Sequence, residues 1–232
     1  AEAAATPQPE ASRLASYWMR QVLSKAASEL EDLFSKYRIS EALTLVYKLI
    51  RDDFSSYYLE LIKPAYGTPI DRVTCDEALG FFDEVLRILH PFMPFLAERK
   101  EGESIMNAQQ RPAEAFDEAF LSRFAAVQEL ITSIRSLRTS KNLSPREALT
   151  LEASESYPSE LDDVLIKMAG LSEIDRSGKR SEGAVSFVIG TDEFAVPMAA
   201  YINVEEELAK LRADLEYQQK FLAGVEKKLS NE

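Results

Sequence analysis

Apolar residues recur at helical spacing through four successive stretches of this chain. From Ser12 to Tyr37, Leu14, Tyr17, Trp18, Val22, Leu30, Leu33 and Phe34 fall close to a 3.6-residue period. From Arg38 to Ile62 the face is broader, made of Ala42, Leu43, Val46, Leu49, Ile50, Phe54, Tyr57, Tyr58 and Leu61. Opposite it Glu41, Thr44, Lys48, Arg51 and Ser55 form a polar stripe, and Pro64 and Gly67 end the helix. A third helix is predicted from a capping box at Thr74 and Glu77 to His90, with Leu79, Phe82, Val85, Leu86 and Leu89 on its apolar side. It runs into Leu89-His-Pro-Phe-Met-Pro-Phe95, where Pro91 and Pro94 each lack a backbone N–H and stop it. A fourth, Ala113 to Lys141, carries Phe116, Phe120, Phe124, Val127, Leu130, Ile131, Ile134 and Leu137.

After Ser144-Pro145 the pattern changes. Ala148 to Ala153 alternates as a strand does, and Ser159 to Ala169 reads as a short helix that Gly170 closes in the left-handed conformation. Leu171 to Ile174, Ala184 to Ile189 and Glu193 to Met198 are rich in Val, Ile and Phe, with a hairpin turn at Gly190-Thr-Asp192. The tail repeats at spacings of four and three through Val204, Leu208, Leu211, Leu215, Gln218, Leu222, Val225 and Leu229, a coiled-coil seam with one polar position. Asn203 and Glu206 suit its start. The chain is thus predicted to be mainly α: an antiparallel helical bundle over 1–143, a small α+β module over 144–200, and one coiled-coil helix over 201–232. A lone seam of this kind calls for a partner helix, from another molecule by self-association or from a second arm beyond Glu232.

Composition narrows the function. No apolar run is long enough to span a bilayer, no signal pattern opens the chain, and the single Cys75 excludes an internal disulfide and multi-cysteine metal sites. The expectation is a cytoplasmic protein. A net charge of −12 opposes generic nucleic-acid binding, yet it conceals one basic window. From Arg123 to Arg146, five bases (Arg123, Arg135, Arg138, Lys141 and Arg146) face only Glu129. Arg135, Arg138 and Lys141 follow one another at one-turn steps, so they are predicted to reach one strand of phosphates from one helix side. Lys48 and Arg51 repeat the arrangement on the second helix, with Lys36 and Arg38 at the turn leading into it. The alternative is a set of solvated surface charges paired with Glu41 and other acids.

Catalytic readings fare worse. His90 has no nucleophile or acid beside it in the sequence and suits a helix end, where its charge favours the negative pole of the dipole. Adjacent Asp52 and Asp53 point in different directions on a helix and make a poor acid–base pair; they are expected to hold polar contacts near Ser55 and Ser56. Tyr57 and Tyr58 are expected to be core. No glycine-rich phosphate loop is present, so neither a hydrolase nor a transferase site converges. An acidic helical adaptor that ignores RNA would account for the charge and the tail, though not for a bundle joined to an α+β module.

Two stretches carry a resemblance: Asp52-Asp-Phe-Ser-Ser-Tyr-Tyr-Leu-Glu-Leu-Ile-Lys-Pro64 and the Leu89–Phe95 run. Together they resemble the anticodon-binding helical bundle of class I aminoacyl-tRNA synthetases of the valine, isoleucine and leucine group. The tail, including its closing Lys-Lys-Leu-Ser-Asn-Glu232, is similar to the first arm of the helical hairpin that ends the valine branch of that group. The resemblance spans about Pro9 to Glu232. It implies that this chain grips the anticodon end of valine tRNA through Lys36, Arg38, Lys48, Arg51, Arg135, Arg138 and Lys141. The tail would brace the corner of the tRNA, while catalytic and editing domains of the same parent chain use ATP and Mg to charge it. The two ATP-contacting motifs of that class, His-x-Gly-His and Lys-Met-Ser-Lys-Ser, are absent, so no aminoacylation is expected of this chain alone. Two departures stand out. Arg51 occupies a position where the family often carries an aromatic residue, and Phe95 leads straight to Leu96 without the family's Thr-Glu-Glu-apolar-Trp run. The second predicts that several residues are missing between Phe95 and Leu96.

Overall fold

A computed structural model describes residues 3–97, 104–108, 112, 114–144, 147–199, 201, 212 and 215–222. It is mostly helical, with one small mixed sheet. Helix α1 (Glu10–Ser35) is the shared wall, packing against nearly every other long helix. Its buried inner face is Leu14, Ala15, Trp18, Met19, Leu23 and Leu30; of the predicted stripe Leu14, Trp18 and Leu30 are buried, Val22 and Leu33 half-buried, and Tyr17 and Phe34 exposed. Trp18 stacks on Phe124 with ring centroids 4.5 Å apart, which joins α1 to α6 (Glu118–Ser140).

The second predicted helix is present but not uniform. An α-helical part, α2 (Ile39–Lys48), passes into a π-helical segment, Leu49–Tyr58, and ends as α3 (Leu59–Ile62). Ser55 and Ser56 support the wider register by donating their hydroxyls to the carbonyls five residues back, Ile50 at 2.7 Å and Arg51 at 2.8 Å. The π-helical segment buries Leu49, Phe54 and Tyr58, while in α2 Ala42 and Val46 are buried and Ile39, Leu43 and Tyr47 are exposed. Leu43 is thus not on the buried face predicted for it. Tyr58 is fully buried and meets Ser16 Oγ at 3.4 Å; burial pushes its hydroxyl up to about 12. Tyr57 is half-buried, edge-on to Trp18, with its hydroxyl donating to the Gln128 carbonyl at 3.4 Å.

Helix α4 (Arg72–Leu89) begins one turn before the predicted capping box. The cap is Asp71, whose carboxylate accepts from the Thr74 N–H at 2.8 Å, and Gln8 ties Thr74 and Glu77 together from outside. The buried face matches expectation only at Val85: Phe81 and Ile88 join it, Leu86 and Leu89 are half-buried, and Leu79 and Phe82 stay exposed. A short helix α5 (Pro94–Ala97) starts at the second proline. Both Leu96 and Ala97 donate to the Met93 carbonyl, at 3.2 and 3.1 Å, so the turn closes across the Phe95–Leu96 junction. A short 3₁₀ turn, Ile105–Asn107, precedes α6.

Beyond α6 lie β1 (Leu149–Glu152), α7 (Asp162–Ala169), β2 (Leu171–Asp175), β3 (Ala184–Ile189) and β4 (Asp192–Pro197). The strand order is β2-β1-β4-β3, with β1 and β2 parallel through the α7 crossover. Strands β3 and β4 form the predicted hairpin, pairing Ile189 with Asp192 about a turn in which Gly190 takes φ +60°. Gly170 ends α7 at φ +67°, as its position after Ala169 predicts. Residues 215–222 are helical and expose Leu215 and Leu222. The seam positions Val204, Leu208, Leu211, Val225 and Leu229, and the cap at Asn203 and Glu206, lie outside the described residues. Among the described residues no helix is long and apolar enough to cross a membrane.

Candidate nucleic-acid interface

The predicted cations separate into two groups. Lys36, Arg38, Lys48 and Arg51 lie exposed along one stretch, from the end of α1 through α2 into the π-helical segment. Lys36 pairs with Asp32 at 2.7 Å, and Arg38 with Glu41. Such exposed pairs are worth about 0–1 kcal/mol, so an incoming phosphate displaces them at little cost. Arg51 places its guanidinium 5.7 Å from the Tyr47 ring centre and donates to the Tyr47 hydroxyl at 3.2 Å.

Arg135, Arg138 and Lys141 do not make the single phosphate-facing row that their spacing predicts. Arg135 stays exposed but donates to the Met168 carbonyl at 2.9 Å. Arg138 is only 7% exposed. Its guanidinium donates to four backbone carbonyls: Ser144 at 3.2 Å, Glu147 at 2.7 Å, Ala169 at 3.1 Å and Gly170 at 2.8 Å. Three of the acceptors bonded by these two arginines close the C-terminal end of α7, the negative pole of that helix. Lys141, half-buried, caps the C-terminus of α6.

A third cation completes the junction. Lys167, on α7, donates to the carbonyls of Leu61 at 2.5 Å and Lys63 at 2.9 Å, at the C-terminus of α3. Burial lowers its pKa and the nearby Glu60 carboxylate opposes that shift. So α6 caps α7, and α7 caps α3. Sequence reasoning missed Lys167; its only signal was a basic residue in the last turn before a predicted glycine stop. Lys167→Met, which keeps the apolar stem, is expected to cost about 1–2 kcal/mol, read as a lowered urea midpoint.

Beside the exposed cations lies a groove of about 550 Å³ between α1, α2 and α6, with Trp18, Leu45 and Leu121 among its walls and Lys48, Asp53 and Gln128 on its polar side. Burial, then the adjacent Asp52 charge, pushes the Asp53 carboxyl up to about 6, with Lys48 opposing. Among the described residues no cluster of three or more His, Cys, Asp or Glu could hold a metal ion.

These features sit inside a segment with a known counterpart. A family described as the anticodon-binding domain of tRNA ligase matches residues 16–153, from the inner face of α1 to the end of β1. This chain belongs to that family. All seven predicted cations fall within the matched segment, on this anticodon-binding domain. Among relatives, a valine–tRNA ligase of Porphyromonas gingivalis is 52% identical over 239 residues, covering 100% of this chain and 27% of the relative. One from Phocaeicola vulgatus is 49% identical over 240 residues, with the same coverage, and one from Enterococcus faecalis is 30% identical over 239 residues, covering 94% of this chain and 27% of the relative. The chain therefore spans about a quarter of the length of these relatives.

Proposed function

We propose that this chain is the tRNA-holding portion of a valine–tRNA ligase, gripping the anticodon stem-loop of valine tRNA. The observation that carries the reading is the family match over the segment bearing the exposed Lys36, Arg38, Lys48 and Arg51 stretch. Its mechanism is positioning. Phosphates set register on the cations, while single-stranded bases, unstacked in the loop, offer their edges for reading. The helices around α1 act as an antiparallel bundle of the anticodon-binding type, and the tail as the first arm of a coiled coil that braces the tRNA. The ATP- and Mg-dependent chemistry belongs to other domains of the parent protein in the cytosol. The acidic balance of the chain keeps the affinity of this portion modest and strongly salt-dependent.

The test is binding of the chain to valine tRNA and to the same tRNA with a replaced anticodon, at low and moderate salt. Preference for the unaltered tRNA supports the reading; equal binding, or none at low salt, overturns anticodon recognition by this chain. Arg51→Ala is expected to weaken binding several-fold and to lower the slope of log affinity against log salt by about one, the mark of a lost phosphate contact.

A further inference from the structure

We propose that Ser55 and Ser56 are positioning residues for RNA binding: their hydroxyls lock the π-helical register of Leu49–Tyr58 and so fix the direction in which Arg51 is held out. The inference rests on the RNA-binding reading above and adds to it the two residues that aim its cation.

Elsewhere in this chain Thr44, Ser122, Thr132 and Thr139 each donate a hydroxyl to the carbonyl four residues back, at 2.9–3.1 Å, the acceptor an α-helix offers. Ser55 and Ser56 reach one residue further, to Ile50 and Arg51, the acceptors of a π-helical turn. Ser56 thereby holds the carbonyl of Arg51 itself, at 2.8 Å. The core demands a wide turn in this segment without fixing where it falls. Two turns of α-helix take about seven residues. Leu49 and Tyr58 lie nine residues apart, with Phe54 buried between them. Continued from Leu49 as an α-helix, the chain would turn Asp53 and Ser56 to the core in place of Phe54 and Tyr58. Burial of the two rings sets the total, but it leaves open which peptide units carry the widening. The exposed Ser55 and Ser56 decide that from the solvent side. Arg51 stands at the start of the locked units, its guanidinium over the Tyr47 ring and its Nε 3.9 Å from Asp52, so any change in the local turn re-aims it. Held in one direction, the cation meets a phosphate without first being ordered. An exposed hydroxyl bond adds little to folding and alanine is the better helix former, so positioning and stability separate.

The experiment measures binding of valine tRNA, at low and moderate salt, to Ser55→Ala/Ser56→Ala and to Ser55→Thr/Ser56→Thr. Each pair is made both with Arg51 present and with Arg51→Ala, and urea midpoints are taken alongside. Expected for the alanine pair is about fivefold weaker binding with Arg51 present and a change below about 1.5-fold with Arg51→Ala, because the effect runs through that cation. Its salt slope should fall toward that of Arg51→Ala, while its urea midpoint stays level or rises. The threonine pair, which keeps both hydroxyls, should bind within about twofold of the unsubstituted chain. Equal weakening in the two Arg51 backgrounds, or threonine no better than alanine, would overturn the positioning role and leave the RNA-binding reading intact. Unchanged binding with a lowered urea midpoint is the mark of a purely structural role and overturns it as well. Failure of the unsubstituted chain to bind the tRNA at low salt would overturn both readings.

Discussion

Replacing Arg138 by alanine is expected to cost about 2–4 kcal/mol of folding stability, the largest loss predicted for any charged residue of this chain. The guanidinium is buried and its rigid fork donates to four carbonyls at 2.7–3.2 Å, two after α6 and two where α7 ends. Alanine leaves those carbonyls without their donor and vacates the space of a side chain that is itself buried. The Ala169 carbonyl is buried, so losing its donor carries a desolvation penalty, while the other three acceptors are part-exposed and lose mainly a charge-assisted hydrogen bond. Arg138→Lys keeps the charge but cannot span four acceptors, so it should recover only part of the loss. The measurement is the urea midpoint of both variants. A phosphate-binding Arg138 gives the opposite signature: an unchanged midpoint, with the salt slope of RNA binding lowered by about one.

Arg138 also marks where sequence reasoning stops. Spacing places Arg135, Arg138 and Lys141 on one side of a helix, and that much holds. What spacing cannot show is which element lies against that side. The helix α7 packs there, and its open C-terminal carbonyls draw in two of the three cations. The same limit explains α4, where Leu79 and Phe82 fit an apolar stripe as well as Phe81 and Val85 do; contact with α1 and Tyr58 decides for the latter. By contrast, features set by local chemistry were legible. Gly170 after a short helix, Gly190-Thr-Asp192 between two β-branched runs, and the proline stop after Leu89 all sit where the chain turns. The π-helical register of Leu49–Tyr58 had no such signal, because a 3.6 period and a wider one share Phe54 and Tyr58 over so short a run.

Asparagine in place of Asp53 is expected to stabilise the chain at neutral pH, with a gain that disappears in acid. In the folded chain burial and the Asp52 charge push this carboxyl up to about 6, against an unfolded value of 3.8. Between those values the folded state holds a proton that the unfolded state has released. Stability therefore falls as pH rises from about 4 to about 6, and the penalty is fully present above that window. A difference of about two pKa units sets the penalty at up to about 3 kcal/mol. Asp53→Asn removes the charge at nearly constant shape, so the variant should unfold at higher urea than the unsubstituted chain at pH 7.5, by less at pH 5.5, and at the same urea concentration at pH 4. Comparing the two proteins at each pH cancels the titration of every other carboxylate. A pH-independent gain would mean that packing, not charge, sets the cost of Asp53. The expected pH-dependent gain would instead show a charge held at the edge of the core against folding stability, in the groove that Asp53 lines.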